Sequence, residues 1–299
     1  MRGMMRYGRW KKSMITRAYE GCDIIETPVG PIQYADSGGP KPPVLVISPG
    51  GANFHRMFAD ISKEDYRVLT FGRPGAYGTP ITVGRSIEAQ ADAAAILLET
   101  LGIEKAAVVG MSGSGPTVLQ FVLRHPEKTR CLVMLVGITK KWSQESWSSK
   151  FERMLIKDFP MYIFYLFSCL VGWKRFLKSY LKQFGCDPKV ALGTEEGVQI
   201  LIDYVLMASP PSLLKPLIDA DFELHPELPD YPLEQIDVPT IAFYCPSDTV
   251  VPFEHGLNLR DRIKNIEFHS IEHGGHFINM DRDQLRIREL IAHFLKKNM

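Results

Sequence analysis

Ser112 is the residue whose type and setting most directly suggest chemistry. An apolar run, Ala106-Ala107-Val108-Val109, stops at Gly110, and Met111-Ser112-Gly113-Ser114-Gly115-Pro116 follows at once. Thr117 to Arg124 then reads as a helix. A serine in a tight small-residue turn between strand and helix is held in a strained backbone conformation, with its hydroxyl projecting above the sheet. Bulky neighbours would collide there, which accounts for Gly110, Gly113 and Ser114. Ser114 is the rival nucleophile, but with Pro116 two residues on and Ser112 two before it fits the turn badly. Ser112 is therefore the expected nucleophile. An ordinary hydroxyl attacks poorly, so it needs a base, and the base needs an orienting acid.

The strand–turn–helix around Ser112 resembles the nucleophile elbow of the α/β-hydrolase superfamily, whose usual G-x-S-x-G reads here Gly110-Met111-Ser112-Gly113-Ser114. The serine in last place implies a slightly wider approach of strand and helix. Gly113-Ser114-Gly115-Pro116 is close to the superfamily's G-x-S-G-G-G-P variant. The resemblance implies the chain order serine, acid, histidine. Cys245-Pro246-Ser247-Asp248-Thr249-Val250-Val251-Pro252 is similar to the superfamily's G-x-x-D-x-x-V-P loop, with cysteine where glycine is common, which implies Asp248 as the acid. Glu272-His273-Gly274-Gly275-His276-Phe277 resembles its G-H-x loop ahead of the last helix. That match implies His276 as the base, with His273 the runner-up. A tetrahedral oxyanion needs backbone donors. By position the resemblance implies the N–H of Gly113 and that of Gly51, with Ala52 an alternative, in the loop Ser48-Pro49-Gly50-Gly51-Ala52-Asn53; Pro49-Gly50 stands where His-Gly is common.

The elements that must position these residues are legible as a strand–helix alternation. A hairpin is expected from Cys22–Thr27 and Pro31–Asp36 around Pro28-Val29-Gly30. Pro43–Ser48 is a continuous apolar run, as in a strand buried on both faces. A helix near Asn53–Ile61, a strand over Tyr66–Phe71 and a turn-rich loop over Arg73–Pro80 follow. Ile87–Leu101 has helical spacing, with Ser86 as cap and Gly102 as stop. After the serine helix comes the strand Cys131–Val136. From about Thr139 to Tyr231 the alternation gives way to helices (Trp147–Asp158, Met161–Phe184, Thr194–Ala208, Leu213–Ala220). It resumes with the strand at Val238–Tyr244, a helix near Phe253–Ile263, the strand Ile266–Ile271 and a final helix from about Arg282 to Lys297. The expected fold class is α/β: a mostly parallel twisted sheet with helices on both faces. The helical block resembles the superfamily's cap. The expected organisation is a basic extension over 1–20, an α/β-hydrolase core over 21–138 and 232–299, and a helical cap over 139–231.

At 299 residues, 45% of them hydrophobic, the chain holds a core large enough to need no staples. A net charge of +1 gives no overall pull toward nucleic acid. Five scattered cysteines, without C-x-x-C or Cys/His metal spacing, read as reduced thiols. No metal or organic cofactor is expected. Arg2, Arg6, Arg9, Lys11, Lys12 and Arg17 precede the first acid, Glu20, with Tyr7 and Trp10 among them. A secretory signal would need an apolar run that is missing. The extension reads as a frayed or surface-packed segment, with a membrane-surface contact or an organelle transit peptide as the other readings; a cytoplasmic location is expected. Phe159–Trp173 carries no charge, at fifteen residues falls short of the roughly 20 of a spanning helix, and is followed by Lys174, Arg175, Lys178 and Lys182. It reads as a cap helix over an apolar pocket that Met154, Met161 and Met207 could line.

An elbow serine disfavours the dehalogenases and epoxide hydrolases of this superfamily, which use aspartate there. The loop at Pro49 departs from the His-Gly-Gly-Pro-Gly of proline iminopeptidases. The expected activity is hydrolysis of hydrophobic small-molecule esters through an acyl-enzyme on Ser112. Carbon–carbon bond hydrolases and cofactor-free perhydrolases share the triad, and a non-catalytic ligand-binding scaffold is the alternative of another class.

Overall fold

The computed structural model describes residues 6–58, 61–142, 156–193, 195–278 and 284–299. Eight strands form one sheet: β1 (Asp23–Thr27), β2 (Gly30–Asp36), β3 (Pro43–Ile47), β4 (Arg67–Phe71), β5 (Ala106–Met111), β6 (Thr129–Leu135), β7 (Thr240–Tyr244) and β8 (Ile266–Ser270). Their order is β1-β2-β4-β3-β5-β6-β7-β8. The hairpin β1–β2 is antiparallel and joins β4 antiparallel; every pairing from β4 through β8 is parallel. The apolar runs are strands because both faces of the sheet are covered. Leu45 and Ile47 enter one buried cluster, with residues of the helices α2 (Ile87–Thr100), α3 (Gly115–Arg124) and α9 (Glu254–Arg262). Val44 and Val46 enter the other, against Ile287, Ile291 and Phe294 of α10 (Gln284–Asn298). Such two-sided burial removes the polar alternation a half-exposed strand would show.

Local signals set the helix ends. The Ser86 hydroxyl accepts the Ala89 N–H at 3.2 Å at the start of α2, and Gly102, just past its end, has φ 68°, the left-handed stop that glycine takes without strain.

Between β6 and β7 the named elements are all helical: α4 (Asp158–Val171), α5 (Trp173–Gln183), the short α6 (Pro188–Ala191), α7 (Glu195–Met207) and α8 (Lys215–Leu224), with single 3-10 turns. The helix expected over Met161–Phe184 is two. Gly172, at φ 86°, turns the chain between α4 and α5. Residues 52–58 form a 3-10 helix rather than an α-helix. The helix expected at Trp147–Asp158 lies mostly outside the described residues.

The basic extension forms α1 (Tyr7–Tyr19), which packs on this helical insertion. Trp10, Met14 and Ala18, one helical turn apart, are all buried. The Trp10 ring lies 5.5 Å from that of Tyr162 and 6.3 Å from that of Tyr165. Lys11 pairs with Asp158 and Arg17 with Asp203, each at 2.6 Å. The segment is thus surface-packed. No helix among the described residues is long and apolar enough to cross a membrane.

Candidate active site

Ser112 stands at the end of β5 with φ 53°, a conformation that non-glycine residues seldom adopt and that persists only where surrounding packing enforces it. Two glycines allow that packing to come close. A Cβ on Gly110 would come within 2.4 Å of Val118, and one on Gly115 within 2.2 Å of the Ile138 carbonyl. The close approach therefore falls at Gly115, one residue beyond the usual motif's last glycine. Ser114 is fully buried, and its hydroxyl turns back on the strand, donating to the Met111 carbonyl at 2.8 Å and accepting the Met111 N–H at 3.0 Å. The extra hydroxyl thus stitches strand to helix, and it is committed away from the base.

The three predicted polar side chains meet. His276 Nε2 lies 2.9 Å from Ser112 Oγ, and His276 Nδ1 lies 2.8 Å from Asp248 Oδ2. The second carboxylate oxygen of Asp248 accepts the N–H groups of Val250 and Val251 at 2.7 and 3.0 Å. An ionised carboxylate only accepts, so Nδ1 carries the imidazole proton and Nε2 is left to accept the serine O–H. Imidazole and carboxylate are both buried. His273 is half-exposed, with Glu272 4.0 Å away, and takes no part. Cys245, where glycine is common, is buried with its thiol 3.1 Å from Ser247 Oγ.

The segment after α5 holds both loops and was not recognised from the sequence. The Phe184 carbonyl accepts the His276 N–H at 2.9 Å. Ser247 Oγ donates to the Gly185 carbonyl at 3.2 Å, Thr249 Oγ1 to that of Gln183 at 2.6 Å, and the Cys186 thiol to that of Gly274 at 2.7 Å. Residues 183–186 are thus wedged between the acid and histidine loops.

At the loop after β3, the Gly50 carbonyl accepts the Arg73 N–H at 3.2 Å, which turns the N–H of the same peptide, that of Gly51, the opposite way. The Gly51 N–H has no acceptor among the described residues. The Ala52 N–H lies under Gly72 instead, 2.9 Å from where a Cβ there would sit. The side chain of Arg73, fully buried, secures the loop: Nε donates to the Ser48 carbonyl at 3.1 Å and Nη2 to that of Pro49 at 2.7 Å. Its charge is met by Asp221 of α8, in a two-pronged pair at 2.9 and 2.7 Å. The sequence reading passed over both residues. An arginine at the end of an apolar strand was the one available signal, since a charge there demands a partner.

Ser112 and His276 open on a cavity of about 190 Å³ lined by Phe54, Met111, Leu214, Leu217 and Ile218, with Asp221 its carboxylate. Neither Met161 nor Met207 lines it, and Met154 lies outside the described residues.

Of the remaining histidines, His225 and His255 are buried. The Thr139 N–H donates to His255 Nδ1 at 3.0 Å. Burial above all, with Lys140 and His225 adding to it and Asp248 opposing, pulls the His255 pKa down to about 4. The unfolded chain, with an ordinary value near 6.5, then binds more protons between these limits. The resulting stability is complete above about pH 6.5 and is lost as pH falls toward about 4. Urea unfolding at pH 5 against pH 7.5 is expected to show a loss on the order of 2 kcal/mol from this group. His255→Asn, which keeps an acceptor for Thr139, should shrink the loss by that amount; an unchanged difference would show that other groups set it.

The sequence matches the α/β hydrolase fold family over residues 42–189. A 2-hydroxy-6-oxononadienedioate/2-hydroxy-6-oxononatrienedioate hydrolase of Paraburkholderia phymatum is 26% identical over 278 residues, covering 88% of this chain and 90% of that protein. Among solved structures, an α/β hydrolase fold protein from Nakamurella multipartita superposes with a TM-score of 0.77 at 21% identity, over 92% of this chain and 98% of the other. An esterase from Exiguobacterium antarcticum gives 0.65 at 18% identity, over 91% and 98%. The chain belongs to the α/β-hydrolase superfamily. Hydrolysis is the general activity that its relatives' names carry.

Proposed function

We propose that this chain is a serine hydrolase that cleaves short, uncharged carboxylic esters by two-step acyl transfer. The observation that carries the reading is the unbroken hydrogen-bonded relay from Ser112 through His276 to Asp248. His276 takes the serine proton as Oγ attacks the ester carbonyl, Asp248 holds the ring in the tautomer this requires, and His276 then protonates the leaving alcohol. The Gly51 and Gly113 N–H groups serve as donors to the tetrahedral oxyanion. Water, deprotonated by the same imidazole, releases the acid. The helical insertion acts as the cap, since α7, α8 and the turn before α8 supply one wall of the cavity.

Cavity size and charge support the substrate class. About 190 Å³ is small beside the roughly 300–1,000 Å³ common in ligand sites, which favours a short acyl group over a long chain. The same features weigh against a dienedioate like the one in the relative's name. Such a substrate would bring negative charge into a cavity whose lining includes the Asp221 carboxylate, and Arg73 is already engaged by that residue.

A series of p-nitrophenyl esters, run beside 2-hydroxy-6-oxononadienedioate, tests this. We expect kcat/KM to peak between acetate and hexanoate and to fall for longer acyl chains, with little cleavage of the dioate. A higher kcat/KM for the dioate than for any ester would make carbon–carbon cleavage the activity instead. If a fluorophosphonate failed to label the protein, the scaffold would be a binding one.

A further inference from the structure

The helical insertion carries a surface that the proposed reaction does not use. Phe159, Ile163, Phe167 and Leu170 follow one another at helical spacing along α4 and are 58%, 48%, 54% and 77% exposed. They are four of the eight large apolar side chains exposed among the described residues, so they form a ridge rather than scatter. The helix lies between α1 and α5. On one side Tyr7 packs on Phe159 at 5.6 Å and Trp10 on Tyr162 at 5.5 Å. On the other, Phe176 packs on Phe164 at 4.6 Å and Trp173 on Tyr165 at 6.3 Å.

Both flanking helices are cationic outward. Arg6, Arg9 and Lys12 are exposed at α1, and Lys174, Arg175, Lys178 and Lys182 along α5. Neither α1 nor α5 contains an acid. The one acid of α4, Asp158, is buried and held by Lys11 and by the Ser212 N–H and hydroxyl.

We propose that the α4 ridge and the cationic faces of α1 and α5 together form a docking surface for an anionic lipid bilayer. The arrangement satisfies both parts of an interfacial contact: apolar side chains to enter the acyl boundary, and lysine and arginine around them to meet lipid phosphates. At 14 residues α4 is about 21 Å long, too short to span, and lies in the interface plane. A two-fold dimer through the same ridge would set the cationic helices of the two copies against each other. A nucleic acid would leave the ridge in water.

Cosedimentation of the full chain with vesicles tests this, comparing phosphatidylcholine alone with mixtures holding about one-third phosphatidylserine. Binding to the anionic vesicles at moderate salt should be at least about tenfold tighter and should weaken as salt rises. Phe167→Glu with Leu170→Glu, and separately Lys174→Glu with Lys178→Glu, should each reduce it about tenfold or more, with thermal unfolding by circular dichroism unchanged. The salt series on the unaltered chain serves as the readout should either variant unfold. The proposal is overturned if the unaltered chain ignores anionic vesicles, if folded variants bind as well as it does, or if the ridge substitutions abolish self-association instead.

Discussion

Ser112→Ala is expected to lower kcat for a short p-nitrophenyl ester by about four to six orders of magnitude and to abolish labelling by a fluorophosphonate. Alanine removes only Oγ, the atom 2.9 Å from His276. The Cβ remains, so the strain of the turn at φ 53° is unrelieved and stability should hold. His276→Ala should cost nearly as much, and the double variant little more than either, because nucleophile and base act as one unit. A residual rate above water, supplied by the oxyanion donors and by substrate positioning, should survive in all three. Ser114→Ala is the informative contrast. It removes two backbone bonds at Met111, worth about 1 kcal/mol each, yet should leave labelling intact. If Ser112→Ala kept a hundredth of the activity, or if labelling followed Ser114, the proposed nucleophile would be wrong.

What could be read from the sequence is what is local. The turn at Ser112 announces itself because glycine and small residues are forced where strand meets helix. Asp248 and His276 each sit in a short loop after a strand, and the likeness of those two loops to the superfamily's motifs is what pointed to them. The wedge at 183–186 has no such signature. It consists of backbone carbonyls, which any sequence supplies, and only the fold brings them to loops some 60 to 90 residues away. The pair Arg73–Asp221 spans 148 residues and was invisible for the same reason. Asp221 looks like any acid on a helix until α8 is laid over the loop at Pro49. The long helix expected from Met161 onward was a different failure. Its apolar spacing runs on without interruption, and Gly172, which helices tolerate at a cost of about 1 kcal/mol, gave the one hint of a break. Local preference was weaker there than the packing of α4 on α1 and of α5 on α4.

Gly185→Ala is the second large effect, and it asks whether the helical insertion sets the geometry of the reaction or merely covers it. Gly185 has φ 73°, and a Cβ there would stand 1.7 Å from the Ser247 carbonyl oxygen, the residue before Asp248. Rigid backbone lies on both sides, since a Cβ on Gly275 would meet the Phe184 carbonyl at 2.2 Å and the Cys186 nitrogen at 2.8 Å. Relief must come from moving the acid loop away, the histidine loop away, or both. A shift of about 1 Å in a catalytic group costs on the order of a hundredfold in rate. We therefore expect kcat to fall about a hundredfold or more, with KM changed much less, because the cavity lining named above does not include the wedge. Gly102→Ala separates this from simple strain. Gly102 has φ 68° but open space around it, so alanine there should cost roughly 1–2 kcal/mol in stability and leave kcat alone. Should Gly185→Ala lose stability comparably while retaining full kcat, the 183–186 segment would be a structural strut with no hold on His276.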